Sequence, residues 1–308
     1  MRKLFAKETK ETMIRSARPF VMALMVAPIA VPEGFAGELH IAAWNLEHLD
    51  DTDGDGCVGR KISDYAALAQ RVEELGADIV AFQEVENAAA AHRVFTASRW
   101  QIEMSERPTK PQNRTCWDRP EAQLGHLATG FAVRRDIAYR RNSDLKVLGG
   151  DDAFQRWGTD ITITAGGRDL RLLSVHLKSG CWGDAQDRDE KRRVTCATLR
   201  SQIEHLKAWV DARHTEGTAF VILGDFNRRL ALPGDWGWLL LSQASAPLHL
   251  VTAGVPFDCD PRFSEFIDHI AVGGGAETML VEGSFREWPR REPHPDHCAI
   301  SAAFRLDP

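Results

Sequence analysis

The chain has 308 residues, 44% of them hydrophobic and 27% charged, with a formal net charge of −6. That length can bury a sizeable core, and the ordinary composition excludes disorder, collagen and coiled coil. The acidic balance excludes a generic basic nucleic-acid binder, whose affinity comes from neutralising phosphates, although metal ions and a few arginines can still supply a local positive field.

The N-terminus reads as a processing signal. Arg2, Lys3, Lys7, Lys10, Arg15 and Arg18 precede an apolar run from Phe20 to Val31, and small residues follow at Gly34 and Ala36, the pattern of a secretory signal. The run is too short to span a bilayer, and Pro28 interrupts it. Met13 is an alternative start that shortens the basic region. The expectation is a cleaved signal over residues 1–36 and one domain over residues 37–308. The protein is then secreted or periplasmic, monomeric, and without stable membrane insertion. Loss of the signal leaves a net charge of −9.

The predicted elements run as follows. Leu39–Leu46 reads as a strand. Asp51–Gly56 follows, an acidic turn of the D-x-D-x-D-G kind that opens calcium loops, but its twelfth position is Ile62 rather than Glu. Asp64 is placed to cap a helix with apolar Tyr65, Leu68, Ala69, Val72 and Leu75, ended by Gly76. Asp78–Val85 is a strand and Glu106–Arg119 a long surface loop. Gly130–Val133, Asp160–Thr164 and Leu170–Leu177 are strands rich in β-branched residues. A second helix spans about Asp189–Arg213, with Val194, Leu199, Ile203, Leu206, Trp209 and Val210 as its apolar stripe. Strand Phe220–Phe226, loop Arg229–Asp235 and strands Phe266–Val272 and Cys298–Phe304 complete the chain. Several strands are nearly continuous apolar runs, as expected when both faces are covered. Strands mixed with covering helices imply an α/β architecture.

Six cysteines (Cys57, Cys116, Cys181, Cys196, Cys259, Cys298) lie outside any CxxC pattern. That argues against zinc, and an even number behind a secretory signal argues for disulfides. Cys181–Cys196 is the best pair, closing a polar, charged loop, and the remainder leaves room for a free thiol.

The chemistry lies where polar residues meet the ends of apolar runs. Asn45 follows Ile41–Trp44, Glu84 follows Ile79–Gln83, His176 follows Leu172–Val175, and Asp225 and Asn227 follow Phe220–Gly224. Asp268 lies in Phe266–Ile270, and Asp296–His297 precede the last strand. A carboxylate at such a position is costly unless it is paired or bound to a metal. Several in one chain point to a shared cleft, and oxygen ligands without thiolates point to a hard cation: Mg2+, with Mn2+ or Ca2+ as alternatives.

Trp44–Asn45–Leu46, Gln83–Glu84–Val85, Gly224–Asp225–Phe226–Asn227, Ile267–Asp268–His269–Ile270 and Pro295–Asp296–His297 together resemble the ordered motifs of the endonuclease/exonuclease/phosphatase superfamily, also called DNase I-like. The resemblance implies a four-layer sandwich: two packed mixed β-sheets flanked by helices, with the active site at one edge. It implies a metal held by Asn45 and Glu84, with Asp225 and Asp296 as further ligands. It implies that Asp225 and Asn227 position the attacking water and the phosphate. His297 is implied as the general base with Asp268 orienting it, and His176 as a group that stabilises phosphoryl charge or protonates the leaving group. The chemistry is coherent: phosphate ester hydrolysis needs an activated water, charge neutralisation and help for the leaving oxygen.

Arg156 and Lys178 are candidates for substrate phosphate, Lys178 because strand alternation puts it on the face of His176. Glu47 reads as a surface residue, with contact to a metal through water as the alternative, and His269 as a packed one facing away from the cleft. Arg228–Arg229 are the best of four arginine doublets for a phosphate-binding rim. The leading functional expectation is an extracytoplasmic endonuclease cleaving DNA or RNA phosphodiesters. The alternatives are a sphingomyelinase or an inositol-phosphate type phosphomonoesterase, since fold does not choose among substrates, and a catalytically inactive binding module.

Overall fold

The computed structural model describes residues 37–109, 114–165, 167–183, 189–293 and 295–306. The signal read at residues 1–36 lies outside the described residues. Twelve described strands form two six-stranded sheets. The first has the order β11 (Arg286–Trp288), β12 (Ala299–Arg305), β1 (Glu38–Leu49), β2 (Ile79–Val85), β4 (Ala128–Arg134), β3 (Trp100–Met104). The second has the order β5 (Tyr139–Arg141), β6 (Thr159–Ala165), β7 (Arg168–His176), β8 (Ala219–Asp225), β10 (Asp268–Gly273), β9 (Leu248–Leu250). Each sheet has one parallel pair at its centre, β1 with β2 and β7 with β8, and is otherwise antiparallel.

Period-two alternation builds the layers. Along β1, Leu39, Ile41 and Ala43 enter a central core with Phe304 of the adjacent β12 and Leu172, Val221, Leu223 and Ile270 of the facing sheet. Ala42, Trp44 and Leu46 point the other way, under α1 (Ile62–Leu75) and α2 (Ala88–Val94). On the far side of the second sheet, Leu173, Val175 and Ile222 pack beneath α3 (Glu190–Glu216), which contributes Leu199, Ile203, Leu206 and Val210. Each such side chain contributes about 1.5–3 kcal/mol by leaving water. The result is the expected four-layer sandwich.

Several local expectations are corrected. Lys61, not Asp64, is the N-cap of α1; Asp64 is the third helical residue, and its carboxylate accepts the Lys61 backbone N–H at 2.8 Å in a capping box. Asp189 does cap α3, accepting from Arg192 N at 2.9 Å, but Val194 is 60% exposed and leaves the apolar stripe. The short elements α2, α4 (Trp236–Leu241), β3, β5, β9 and β11 carry too few residues to show a period.

All six cysteines are paired: Cys57–Cys116, Cys181–Cys196 and Cys259–Cys298. The favoured pair is present and no free thiol remains. The acidic turn's carboxylates take separate partners. Asp51 accepts from Asn87 and Thr52, Asp53 pairs with Arg93, and Asp55 accepts Gly56 N. Among the described residues, no helix is long and apolar enough to cross a membrane.

Candidate active site

The two parallel pairs end at the same edge of the sandwich, and their C-terminal ends carry the polar residues. Binding at the carboxyl ends of parallel strands is a general feature of α/β sheets. In the second sheet His176 and Asp225 are direct partners across β7 and β8, and Asp225 and Asp268 are direct partners across β8 and β10. Asp225 therefore lies between a histidine and a second aspartate by register alone.

In the first sheet the geometry comes from irregularity. β1 does not end at Leu46 as expected; it continues to Leu49, with a register shift against β2 between Asn45 and Leu49. β2 shifts against β4 between Phe82 and Val85. Such bulges re-aim side chains near active sites. Glu47 (φ 44°), His48 (φ 53°) and Glu84 (φ 60°) all adopt left-handed backbone there, as does Asn227 (φ 51°). Non-glycine residues in that region carry strain that the surroundings must hold. At Glu47 and His48 buried Arg60 supplies the hold: its guanidinium donates to the carbonyls of Leu46 (3.1 Å), Glu47 (2.8 Å) and His48 (3.3 Å).

The side chains meet in one network. Asn45 Nδ2 donates to Asp225 Oδ2 at 3.1 Å and to Glu84 Oε1 at 3.3 Å, joining the two sheets. Asn227 clamps the same aspartate: its backbone N–H donates to Oδ1 at 2.7 Å and its Nδ2 to Oδ2 at 2.9 Å. His176 Nε2 stands 3.4 Å from Asp225 Oδ2 and 3.6 Å from Glu84 Oε1. His297 Nδ1 donates to Asp268 Oδ2 at 2.7 Å, while its Nε2 is 3.9 Å from Asp225 Oδ2 and 4.0 Å from Asp296 Oδ1. Below the network, Gln83 Nε2 donates to Ser174 Oγ at 3.1 Å through the fully buried core.

These positions set the charges. Burial pushes the Asp225 carboxyl up to about 7; Asp268 and Glu84 add to this, and His297 and the Asn227 N–H oppose it. Burial alone would lower the His297 pKa, but Asp268, Asp225 and Asp296 outweigh it and hold it well above its ordinary value. His176 goes the other way: burial, then Arg156 and His297, keep it well below its ordinary value. A neutral His176 makes its contacts to Asp225 and Glu84 those of an N–H dipole, not an ion pair. His297 is thus the positively charged histidine of the site.

Asp225, Asp268 and His297 bring ligand atoms within 4.8 Å of one another, near enough to hold a metal. The 2.7 Å hydrogen bond between Asp268 and His297 occupies the facing atoms, which favours a charge-relay pair over a metal site. Further oxygen donors, from Asn45, Glu84, Glu47 and Asp296, lie beside it. Glu47 Oε2 accepts Asp296 N at 3.1 Å. Burial raises the Glu47 carboxyl, and Asp296 and Glu84 raise it further, with Arg60 as the opposing charge. Crowded carboxylates with the amide oxygen of Asn45 nearby are a hard oxygen set. Glu47 is therefore half-buried beside these carboxylates and not on the open surface; its left-handed backbone was not legible from residue types.

The weaker candidates divide. Arg156 reaches the site, where it feels Glu84 and Asp225 electrostatically, and its Nη2 donates to Leu177 O at 2.6 Å. β7 ends at His176, so alternation no longer governs Lys178, whose Nζ donates to Ser179 O at 3.0 Å. Arg228 is corrected as a rim residue. It is buried, and its Nε donates to Asp235 Oδ2 at 2.7 Å. His269 is packed as expected, with Nδ1 2.6 Å from Thr252 Oγ1 and Nε2 2.8 Å from Arg228 O.

The family model described as the Endonuclease/Exonuclease/phosphatase family matches residues 42–295. Among curated proteins, none matches. Solved structures do. TDP2 from C. elegans is 18% identical, with a TM-score of 0.59 over 87% of this chain and 75% of that one. An endonuclease/exonuclease/phosphatase from Bacteroides vulgatus is 14% identical, with a TM-score of 0.60 over 88% of this chain and 100% of that one. D. rerio TDP2 complexed with single strand DNA product is 15% identical, with a TM-score of 0.54 over 87% of this chain and 98% of that one. At these identities the likeness is one of fold.

Proposed function

Because the chain belongs to the endonuclease/exonuclease/phosphatase family, enzymes that hydrolyse phosphate ester bonds with a divalent metal ion, we propose that it is an extracytoplasmic nuclease cleaving the phosphodiesters of DNA or RNA. One observation carries the reading. A charged His297, paired with Asp268, stands 3.9 Å from an Asp225 whose carboxyl is pushed up to about 7. An oxygen atom placed beside them can lie within hydrogen-bond reach of both groups.

In this reading Asp225 takes the proton of the attacking water; a base with a pKa near the working pH is the most effective. His297 donates from Nε2 to a phosphoryl oxygen and neutralises its growing charge. This reverses the general-base role first expected of His297, because a histidine held cationic by three aspartates is a poor base. Asp268 keeps the imidazole charged and oriented. Asn227 and Asn45 position Asp225. Neutral His176 offers an N–H to the same carboxylates and Arg156 adds positive field. Glu84, Asn45 and Asp296, with Glu47, would hold Mg2+, which when bound supplies a Lewis acid for the phosphoryl group.

Support for a nucleic acid substrate comes from D. rerio TDP2, which is complexed with a single strand DNA product. Support for an extracytoplasmic place comes from the three disulfides, which persist in oxidising compartments. The test is a substrate panel on the mature protein with and without chelator: plasmid DNA, single-stranded DNA, RNA, sphingomyelin and inositol phosphates. Metal-dependent cleavage of one of the nucleic acids is expected. Turnover of only the lipid or inositol phosphates would overturn the reading.

A further inference from the structure

Two tryptophans lie in the core between the first sheet and its helices: Trp44 on β1 and Trp100 on β3, each 2% exposed. Their indole N–H groups fare differently. Trp100 Nε1 is buried without a hydrogen-bond acceptor among the described residues. Trp44 Nε1 donates to the backbone carbonyl of His297 at 3.1 Å, across 253 residues. Packing alone needs no donor, and Phe82 and Phe95 fill the same core without one. A buried N–H bonded to a carbonyl fixes both partners, because parting them leaves two buried polar groups unpaired.

The strand ladder stops short of His297. Pairing between β1 and β12 ends at Ala43 and Ile300, and β12 begins at Ala299. Beyond that point side chains place the backbone, and β1 supplies two of them: Glu47 Oε2 accepts Asp296 N at 3.1 Å, and Trp44 holds His297 O. The imidazole is held from the second sheet, by Asp268 Oδ2 at 2.7 Å. His297 therefore spans the two sheets, its backbone tied to one and its ring to the other. The 3.9 Å between its Nε2 and Asp225 Oδ2 depends on both attachments. Strand alternation adds a coupling. Trp44 faces the helices, while Asn45 beside it faces the site and donates to Asp225 at 3.1 Å. Consecutive residues of one strand thus hold both members of the pair.

We propose that Trp44 is a positioning residue: through its indole N–H it fixes the backbone of His297, and with it the gap between His297 and Asp225 in which a reacting oxygen is held. It acts only through His297. A misplacement of about 1 Å at a reacting group can cost about 10²-fold in rate, so one buried hydrogen bond behind the site can govern turnover. The inference rests on the role given to His297 in the nuclease reading above.

The test is Trp44→Phe, which keeps an aromatic ring and removes the N–H. Trp100→Phe is the matched control for lost volume in the same core. Turnover with Mg2+ is read on plasmid DNA, a single-stranded DNA oligonucleotide and RNA, in the wild-type and His297→Ala backgrounds. Crystal structures of both Phe variants give the position of His297. Trp44→Phe is expected to lower kcat about 10- to 100-fold with KM nearly unchanged, and to move the His297 backbone by about 0.5 Å or more. In the His297→Ala background it is expected to add less than about 2-fold to the loss. Trp100→Phe is expected to leave kcat and the position of His297 nearly unchanged. Equal kcat losses in the two Phe variants, a full additional loss in the His297→Ala background, or an unmoved His297 would overturn the positioning role while leaving the nuclease reading intact. If the wild type cleaves no nucleic acid, the nuclease reading fails instead, and the crystal structures still decide whether Trp44 holds His297.

Discussion

Asp225 and Asp268 are register partners on adjacent antiparallel strands, β8 and β10. Like charges placed directly opposite destabilise a sheet. His297 bridges them, 2.7 Å from one and 3.9 Å from the other. The pair is tolerable because a cation is held between its members, and that same cation is what a phosphoryl oxygen needs.

Asp225→Asn removes the base. Turnover is expected to fall at least about 10²-fold with the fold intact by circular dichroism. In wild type, Asp225 must be deprotonated to act, so kcat should rise with pH along an acid limb at or below about 7. Near-wild-type turnover in the variant would remove Asp225 from the chemistry.

Asp268→Asn removes the largest support for the charge on His297. The histidine pKa should drop, so activity lost by its deprotonation is lost at lower pH. The expected result is an alkaline limb shifted downward in the kcat profile, with a smaller loss at the optimum than in His297→Ala. An unmoved alkaline limb would show that Asp268 does not hold that charge.

EDTA should abolish activity, and Mg2+ or Mn2+ should restore it. Glu84→Gln should raise the Mg2+ concentration needed for half-maximal activity by about 10-fold or more. Full activity in chelator would contradict the metal reading.

Gly224 precedes the base, with φ +129°. A Cβ there would lie 2.3 Å from Val175 O and 2.8 Å from Gln83 Nε2. Neither can withdraw, since one is strand backbone and the other belongs to the buried Gln83–Ser174 link. Gly224→Ala is expected to destabilise the protein by about 3 kcal/mol or more, measured by urea unfolding. A midpoint matching wild type would contradict the packing described.

Removal of the Cys259–Cys298 disulfide by paired Ser substitution opens a loop with a sequence separation of 39. On the chain-entropy model the loss is about 4 kcal/mol. Because Cys298 follows His297, kcat should fall together with Tm. A variant with lower Tm but unchanged kcat would show that the bond serves stability alone.

The apolar runs, the polar residues closing them, the order of the motifs and the even cysteine count are all legible in the chain. Those are local quantities: an apolar run buries itself wherever it lies, and Asn45, Glu84, His176 and Asp225 each end or interrupt one. The α/β class followed from strands mixed with covering helices, and the four layers from the resemblance that the ordered motifs carry. The tertiary structure alone decided which carboxylate meets which. The register of β8 against β10 places Asp225 opposite Asp268, and a one-residue slip would send their side chains to opposite faces. The bulges that turn Glu47 and Glu84 rest on left-handed backbone at residues that rarely adopt it, and at Glu47 it is held by Arg60 from a separate turn. Arg228 reads the same as Arg229 in the chain; only packing buries one against Asp235 and leaves the other on the rim of a cavity that His297 also lines. Each of these depends on contacts between residues far apart in sequence, where local pattern carries no signal.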